Sequence, residues 1–159
     1  MKKANNVYGM LGILALLIGA GAGFGFFAAP AVYAGTAANY ATSYDFIFGN
    51  LAFGALESSS AFVASFVLLV IASAFQLLAI VFSFGRSHRF AGFLHLLAGI
   101  MAAVTAVITF LTPSLAPSVI PGATYTMMWG VIAAGAVIAV SALLSLVIGA
   151  VGLFGKKKN

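Results

Sequence analysis

The chain of 159 residues contains no cysteine and only two acidic residues, and charged residues make up 6% of it. A chain without cysteine forms no disulfide, offers no thiolate to a metal and has no cysteine nucleophile. Neither acid, Asp45 or Glu57, lies deep in a long apolar stretch, which argues against an intramembrane proton relay, cation site or metal centre built on carboxylates. We therefore expect no cofactor, no metal and no enzymatic activity.

Hydrophobic residues make up 64% of the sequence, far above the roughly 45–50% of a soluble globular domain. Four long stretches contain no Lys, Arg, Asp or Glu, and each offers the roughly 20 residues that one membrane crossing needs. These features predict an all-α integral membrane protein, a four-helix transmembrane bundle in which residues 1–159 form one membrane domain. The predicted spans are residues 7–29, 58–84, 90–112 and 125–154, joined outside by residues 30–57 and 113–124 and inside by the turn 85–89.

The basic residues predict the orientation of this bundle. All seven fall in segments that a four-pass threading leaves on one face, and the positive-inside rule assigns that face to the cytoplasm together with both termini. The expected topology anchors are Lys2, Lys3, Arg86, Arg89, Lys156, Lys157 and Lys158, with Trp129 at the outer end of the fourth span. No nucleic-acid partner is expected, because these bases sit at span boundaries rather than on one basic face. The Gly/Ala-rich composition, the start Met1-Lys2-Lys3 and the absence of cysteine favour a bacterial cytoplasmic membrane, with an archaeal membrane as the alternative.

The N-terminal apolar stretch has two interpretations, a cleaved signal peptide or a retained first span. Lys2 and Lys3, the apolar run and the sequence Val32-Tyr33-Ala34 resemble a signal-peptide pattern. A secretory hydrophobic region is only about 7–15 residues long, however, whereas residues 7–29 are uncharged and long enough to span. We expect the span to be retained.

The second half of the first span is rich in glycine. Gly19 with Gly23, and Gly21 with Gly25, form two small-xxx-small pairs, and each pair shares one helix face. Such faces let another helix backbone approach closely, which favours van der Waals packing in lipid. We expect these four glycines to pack against the other spans, with contact to another subunit as the alternative.

The longer outside segment, residues 30–57, is aromatic rather than hydrophilic. Aromatic rings favour the headgroup zone of a bilayer, so its side chains are candidates for contact with lipid or a partner protein. The candidates are Tyr44, Phe46, Phe48 and Phe53. Residues 45–56 fit a short interfacial helix, a re-entrant turn or an early start of the second span. We expect the surface helix, with Asn39 to Ser43 as turn residues and Glu57 as the end group of the second span.

The polar residues within the spans are few, and Gln76 and His95 are the largest of them. Both are expected in the cytoplasmic halves of adjacent antiparallel helices, so a direct or water-mediated hydrogen bond between them is a hypothesis, worth about 0.6 kcal/mol. Otherwise His95 is a packing residue. The pairs Thr105 with Thr109, and Ser141 with Ser145, each share a helix face and are expected to bond helix carbonyls or support close packing.

The order of a long outside loop, a short inside turn, a short outside loop and an inside tail resembles the loop order of claudins and other tetraspan proteins. The resemblance is one of topology only: the claudin first-loop Trp and Cys signature is absent, so no functional residue carries over. We expect a structural or interaction protein that contacts membrane lipid, a homo-oligomer or a membrane-protein partner. An oligomeric channel or transporter subunit is the alternative. An intramembrane enzyme is less favoured, because His95 lacks an acidic partner and no G-x-S-x-G element is present.

Overall fold

The computed structural model describes residues 2–34, 40–49, 59–85, 87–115 and 125–155. Most of the described chain is helical, and short strands lie at one end of the bundle. The helices are α1 (Lys2–Leu16), a π-helical segment (Leu17–Ala22), α2 (Gly23–Phe27), α3 (Ser43–Phe48), α4 (Ser60–Phe84), α5 (His88–Phe110), α6 (Thr112–Leu115) and α7 (Trp129–Phe154). The strands are β1 (Pro30–Ala34), β2 (Tyr40–Thr42) and β3 (Tyr125–Met127).

Four helices among the described residues are long and apolar enough to cross a membrane, as the sequence predicts. They are Val7–Phe27, Ser60–Phe84, His88–Phe110 and Trp129–Phe154. The first ends shortly before Pro30, which supplies no amide proton to continue a helix. These four helices are compatible with a multi-pass membrane protein.

The surface of the bundle is the reverse of that of a soluble helical protein. Small residues such as Ala72, Ala98 and Ala134 are buried, whereas large apolar side chains such as Leu143 and Val147 are 63% and 61% exposed. A helix in a soluble bundle buries its large apolar residues and exposes its polar ones. This arrangement is compatible with an apolar medium around the helices.

Close contacts at the helix ends define the two ends of the bundle. Gly9 of α1 packs against the Phe84 ring at the end of α4, and Gly152 near the end of α7 packs against the backbone at the start of α5. The start of α1, which carries Lys2, therefore lies at the same end as Arg89. Arg86 and residues 156–158 lie outside the described residues.

The closest helix pair is α5 with α7, and glycine makes that approach possible. A Cβ added at Gly149 would lie 2.7 Å from the Leu96 backbone nitrogen and 2.8 Å from the Gly92 carbonyl oxygen. Gly99 and Gly152 face equally close neighbours across the same interface. Small residues at membrane-helix interfaces allow this backbone contact, so α5 and α7 form the most tightly packed part of the bundle.

A three-stranded antiparallel sheet of order β2-β1-β3, which the prediction of a helical bundle did not include, lies at the end opposite Arg89. Residues 125–127 pair with β1 rather than starting the fourth span, and the Met128 amide donates to the Ala31 carbonyl at 2.8 Å. The strands are only three to five residues long. Strands this short carry almost no local pattern, and β3 meets β1 only because the bundle brings the ends of their helices together.

Candidate functional site

A layer of buried polar groups crosses the middle of the bundle. We call it the polar layer: Gln76 of α4, His95 of α5, Ser141 and Ser145 of α7, and the Ala15 carbonyl of α1. The Gln76 Nε2 donates to the Ser141 Oγ at 3.1 Å and to the Ser145 Oγ at 2.7 Å. The Ser141 hydroxyl in turn donates to the Ala15 carbonyl at 2.7 Å. Hydrogen bonds therefore tie α4, α7 and α1 together at one depth.

Glycine in the first span makes room for this layer. A Cβ added at Gly19 would lie 2.8 Å from the Ser141 Cβ, and one added at Gly23 would lie 3.0 Å from Cγ1 of Ile138. At Gly21 and Gly25 an added Cβ would meet nothing within 4 Å. The prediction that all four glycines pack against the other spans is therefore wrong for Gly21 and Gly25. Neighbouring positions two apart differ by about 200° around a helix, so the two pairs face opposite sides.

The π-helical segment Leu17–Ala22 keeps the inner face of this span continuous. Ala15 and Phe27 are both buried, twelve residues apart. At about 100° per residue, a regular α-helix would place Phe27 three turns plus about 120° beyond Ala15, and therefore on another face. A π turn contains more residues than an α turn, and this offsets the extra rotation of about 120°. Ala15, Gly19 and Phe27 therefore all face inward. The bulge lies beside the polar layer, where Gly19 meets Ser141.

His95 is fully buried but does not bond Gln76, so the predicted direct pair is wrong. Neither ring nitrogen of His95 has a hydrogen-bond partner in the described part of the chain. Its ring faces Gly12 of α1, where an added Cβ would lie 2.9 Å from Cε1 and 3.1 Å from Nε2. Gln76 instead turns toward α7. The spacing from the inside turn predicts the depth of a residue but not the neighbour that its side chain faces.

Three other hydroxyls of the spans, those of Ser73, Thr105 and Thr109, bond carbonyls of their own helices, whereas the buried Ser65 hydroxyl has no hydrogen-bond partner among the described residues. Thr105 donates to the Met101 carbonyl at 3.0 Å, and Thr109 donates to the Thr105 carbonyl at 2.8 Å. Ser141 and Ser145 differ because they bond across helices. The sequence predicts that these two serines share one helix face but not that they bond Gln76, since nothing in the sequence identifies the helix that this face meets. The described residues contain no group of three or more His, Cys, Asp or Glu that could hold a metal.

A second site, the aromatic cap, lies near the sheet: Phe24, Phe27, Tyr44, Phe46, Phe48, Phe62 and Phe66. Helix α3 carries three of these rings and begins with a capping box. The Asp45 amide donates to the Thr42 Oγ1 at 3.2 Å, and the Thr42 amide donates to the Asp45 carboxylate at 2.7 Å. These bonds satisfy the free amides of the first turn and set the start of the helix at Ser43. Residues 40–42 are strand rather than the predicted turn.

Tyr44 links the two spans that flank the cap. Its hydroxyl donates to the Phe24 carbonyl at 3.0 Å, and its ring contacts Phe27 at 6.1 Å and Phe66 at 6.3 Å between centroids. Burial raises the pKa of the Tyr44 phenol, so the hydroxyl remains a proton donor through the neutral range. The cap therefore joins the ends of the first and second spans that lie near the sheet.

No known protein family matches this chain, and neither does any curated protein or solved structure.

The four predicted contact residues of the outer segment fall in different environments. Phe46 is fully buried and stacks on Phe62 with 4.9 Å between ring centroids, so its assignment to lipid or partner contact is wrong. Phe48 is 69% exposed, and Tyr44 is half-buried. Phe53 lies outside the described residues. The hydrophobic periodicity of the sequence could not show that Phe46 is buried and Phe48 exposed, because a helix of six residues makes less than two full turns.

The second span begins at Ser60, directly after a serine whose hydroxyl bonds another part of the chain. Ser59 occupies the N-cap position of α4, but its hydroxyl does not cap the helix and instead donates to the Leu115 carbonyl at 3.4 Å. Its amide donates to the Phe46 carbonyl at 2.7 Å. Glu57 lies outside the described residues. Trp129, the predicted outer anchor, begins α7 and is 56% exposed, with its ring edge-on to Phe26.

Proposed function

We propose that this protein is a multi-pass membrane protein with a structural or interaction role, in which a rigid four-helix bundle presents the aromatic cap to lipid or to a partner protein. Both termini lie in the cytoplasm, and the cap lies outside, in the cytoplasmic membrane of a bacterium. The observation that carries the proposal is the contrast within the cap. Phe46 and Tyr44 fasten α3 to the spans, whereas the neighbouring Phe48 leaves most of its ring exposed.

The charge distribution supports the orientation. Lys2 and Arg89 lie at one end of the bundle, while Asp45 lies at the other with the sheet. A cytoplasmic excess of Lys and Arg is the usual determinant of membrane topology. The exposed apolar side chains between these ends match a lipid environment.

The polar layer favours a structural role over catalysis or conduction. Gln76 and the two serines bond one another and a backbone carbonyl, which stabilises helix association in lipid. An acid or base catalyst needs a group placed to exchange a proton with a substrate, whereas the His95 ring faces Gly12 and has no hydrogen-bond partner among the described residues. The hydrogen bonds of the polar layer are best explained as contacts that stabilise the association of the helices.

A photo-crosslinking experiment tests this function. A benzophenone amino acid placed at Phe48 in native membranes is expected to yield adducts with lipid or with another protein. The same probe at Phe46 is the matched control, because that side chain is enclosed and should react only within the chain. Absence of any external adduct at Phe48, with efficient internal reaction at Phe46, would refute a contact role for the cap.

The second candidate is an oligomeric channel or transporter subunit. It is favoured by Gly21 and Gly25, whose outward face leaves room for the close approach of another helix. Purified protein in liposomes would then conduct ions or transport a solute, and Gly21→Leu would abolish the flux while the monomer remained folded. A sealed liposome under all conditions contradicts this candidate.

A further inference from the structure

We infer that α3 is immersed in the outer leaflet of the bilayer, with the exposed Phe48 ring in contact with lipid acyl chains. This inference rests on the proposed four-span membrane topology and goes beyond it by choosing lipid over a partner protein as the occupant of the cap surface. It also places α3 beside the spans rather than above them.

The depth of Phe48 follows from its contact with α4. Its ring lies edge-on to Phe66 with 5.8 Å between centroids, and Phe66 is six residues, or about 9 Å, along the helix from Ser60. Helix α4 has 25 residues and is about 37 Å long, against a hydrocarbon core of about 30 Å. If the length of α4 that exceeds the hydrocarbon core is divided equally between its two ends, about 4 Å of α4 projects from the core on the outside. Phe66, and Phe48 with it, then lie about 5 Å inside the hydrocarbon core.

The surface beside Phe66 is already the lipid-facing side of α4. Val63, Val67 and Val70 are exposed along that side, on either side of the depth of Phe66. Because the Phe48 ring adjoins this apolar surface, it extends the same lipid-facing surface onto α3. The exposed apolar surface is therefore continuous from Val67 to Phe48, and one lipid acyl chain could contact both side chains.

Several polar groups of α3 are paired within the protein, which lowers the cost of placing this helix in lipid. The capping box satisfies amides at the start of the helix, and the Phe46 carbonyl accepts the Ser59 amide at 2.7 Å. The Tyr44 hydroxyl donates to the Phe24 carbonyl rather than to water. The helix therefore presents an apolar ring outward with its nearby polar groups paired within the protein.

Tryptophan fluorescence can measure this depth, because Trp129 is the only tryptophan. In a Trp129→Phe background, Phe48→Trp would be reconstituted in phosphatidylcholine vesicles that carry bromine at defined acyl positions. Two matched variants provide reference depths against which the quenching of Phe48→Trp is compared. Val67→Trp lies on the exposed side of α4, and Leu115→Trp lies near the start of α4, because the Leu115 carbonyl accepts the Ser59 hydroxyl.

We expect acyl-chain bromine to quench Phe48→Trp several-fold more than Leu115→Trp, and nearly as much as Val67→Trp, with little quenching of Phe48→Trp by aqueous iodide. Strong iodide quenching of Phe48→Trp while bromine quenches Val67→Trp would overturn the inference and leave the four-span topology intact. Protection of Phe48→Trp from both quenchers would also overturn it and would indicate a protein contact. Failure of bromine to quench Val67→Trp would refute the four-span topology itself.

Discussion

Adding one methyl group at Gly19 tests how the first span is held against the rest of the bundle. The Cβ of Gly19→Ala would lie 2.8 Å from the Ser141 Cβ, which cannot move without its backbone. Overpacking of this kind costs about 1–3 kcal/mol. The displaced serine would also lose its bond to the Ala15 carbonyl, worth about 0.6 kcal/mol.

Gly21→Ala is the matched control, because an added Cβ there meets nothing within 4 Å. Both substitutions gain the same advantage of alanine over glycine in a helix, about 1 kcal/mol, which cancels in the comparison. We therefore expect Gly19→Ala to be less stable than Gly21→Ala by about 2–4 kcal/mol. Gly21→Ala itself is expected to match or slightly exceed the unsubstituted protein in stability.

The difference can be measured by unfolding each variant with increasing SDS in mixed detergent micelles. Trp129 reports the transition, because its ring contacts Phe26 of the first span at 6.2 Å between centroids. Equal stability of the two variants would contradict the packing described for Gly19. Greater destabilisation by Gly21→Ala would show that the opposite face of the span meets α7.

Three further substitutions test the interior with the same unfolding measurement. Gln76→Leu removes both hydrogen bonds to the serines of α7 and is expected to lower the free energy of unfolding by about 1 kcal/mol. An unchanged free energy of unfolding would mean that these bonds do not stabilise the bundle. His95→Leu breaks no hydrogen bond to the described residues and should change stability by less than about 1.5 kcal/mol, so a larger loss would reveal a partner for the imidazole. Gly149→Ala places a Cβ against backbone atoms of α5 and should lower the free energy of unfolding by about 3 kcal/mol or more. Gly25→Ala is its control and should not lower the stability, because the added Cβ meets open space. Equal effects of the two substitutions would refute the close contact between α5 and α7.

The four apolar helices could be predicted from the sequence because hydrophobicity over 20 residues is a local property. The predicted ends of the second and third spans lie within two residues of those observed, where a charged or polar turn interrupts the apolar run. The fourth span was predicted four residues too long at its start, because Tyr125 to Met127 are as apolar as a helix end but pair with β1. That pairing depends on a strand far away in the sequence.

The polar layer and the aromatic cap were predicted only in part, since both depend on the rotation of each helix about its axis. Gln76 and His95 were identified as unusual, but each faces a different helix from the one expected. The π-helical segment adds a separate difficulty in the first span, because it changes the residue spacing that keeps the inner face continuous. A sequence pattern read at 3.6 residues per turn does not anticipate that change.

We propose that the bilayer is the solvent of this four-pass bundle and that both termini lie on one side of it. Because the chain has no cysteine, single cysteines at Asn5, Leu115 and Asn159 can each be tested with a membrane-impermeant maleimide. We expect intact cells to label Leu115→Cys, whereas Asn5→Cys and Asn159→Cys should react only after the membrane is opened. Labelling of Asn5→Cys and Asn159→Cys from opposite sides would contradict it.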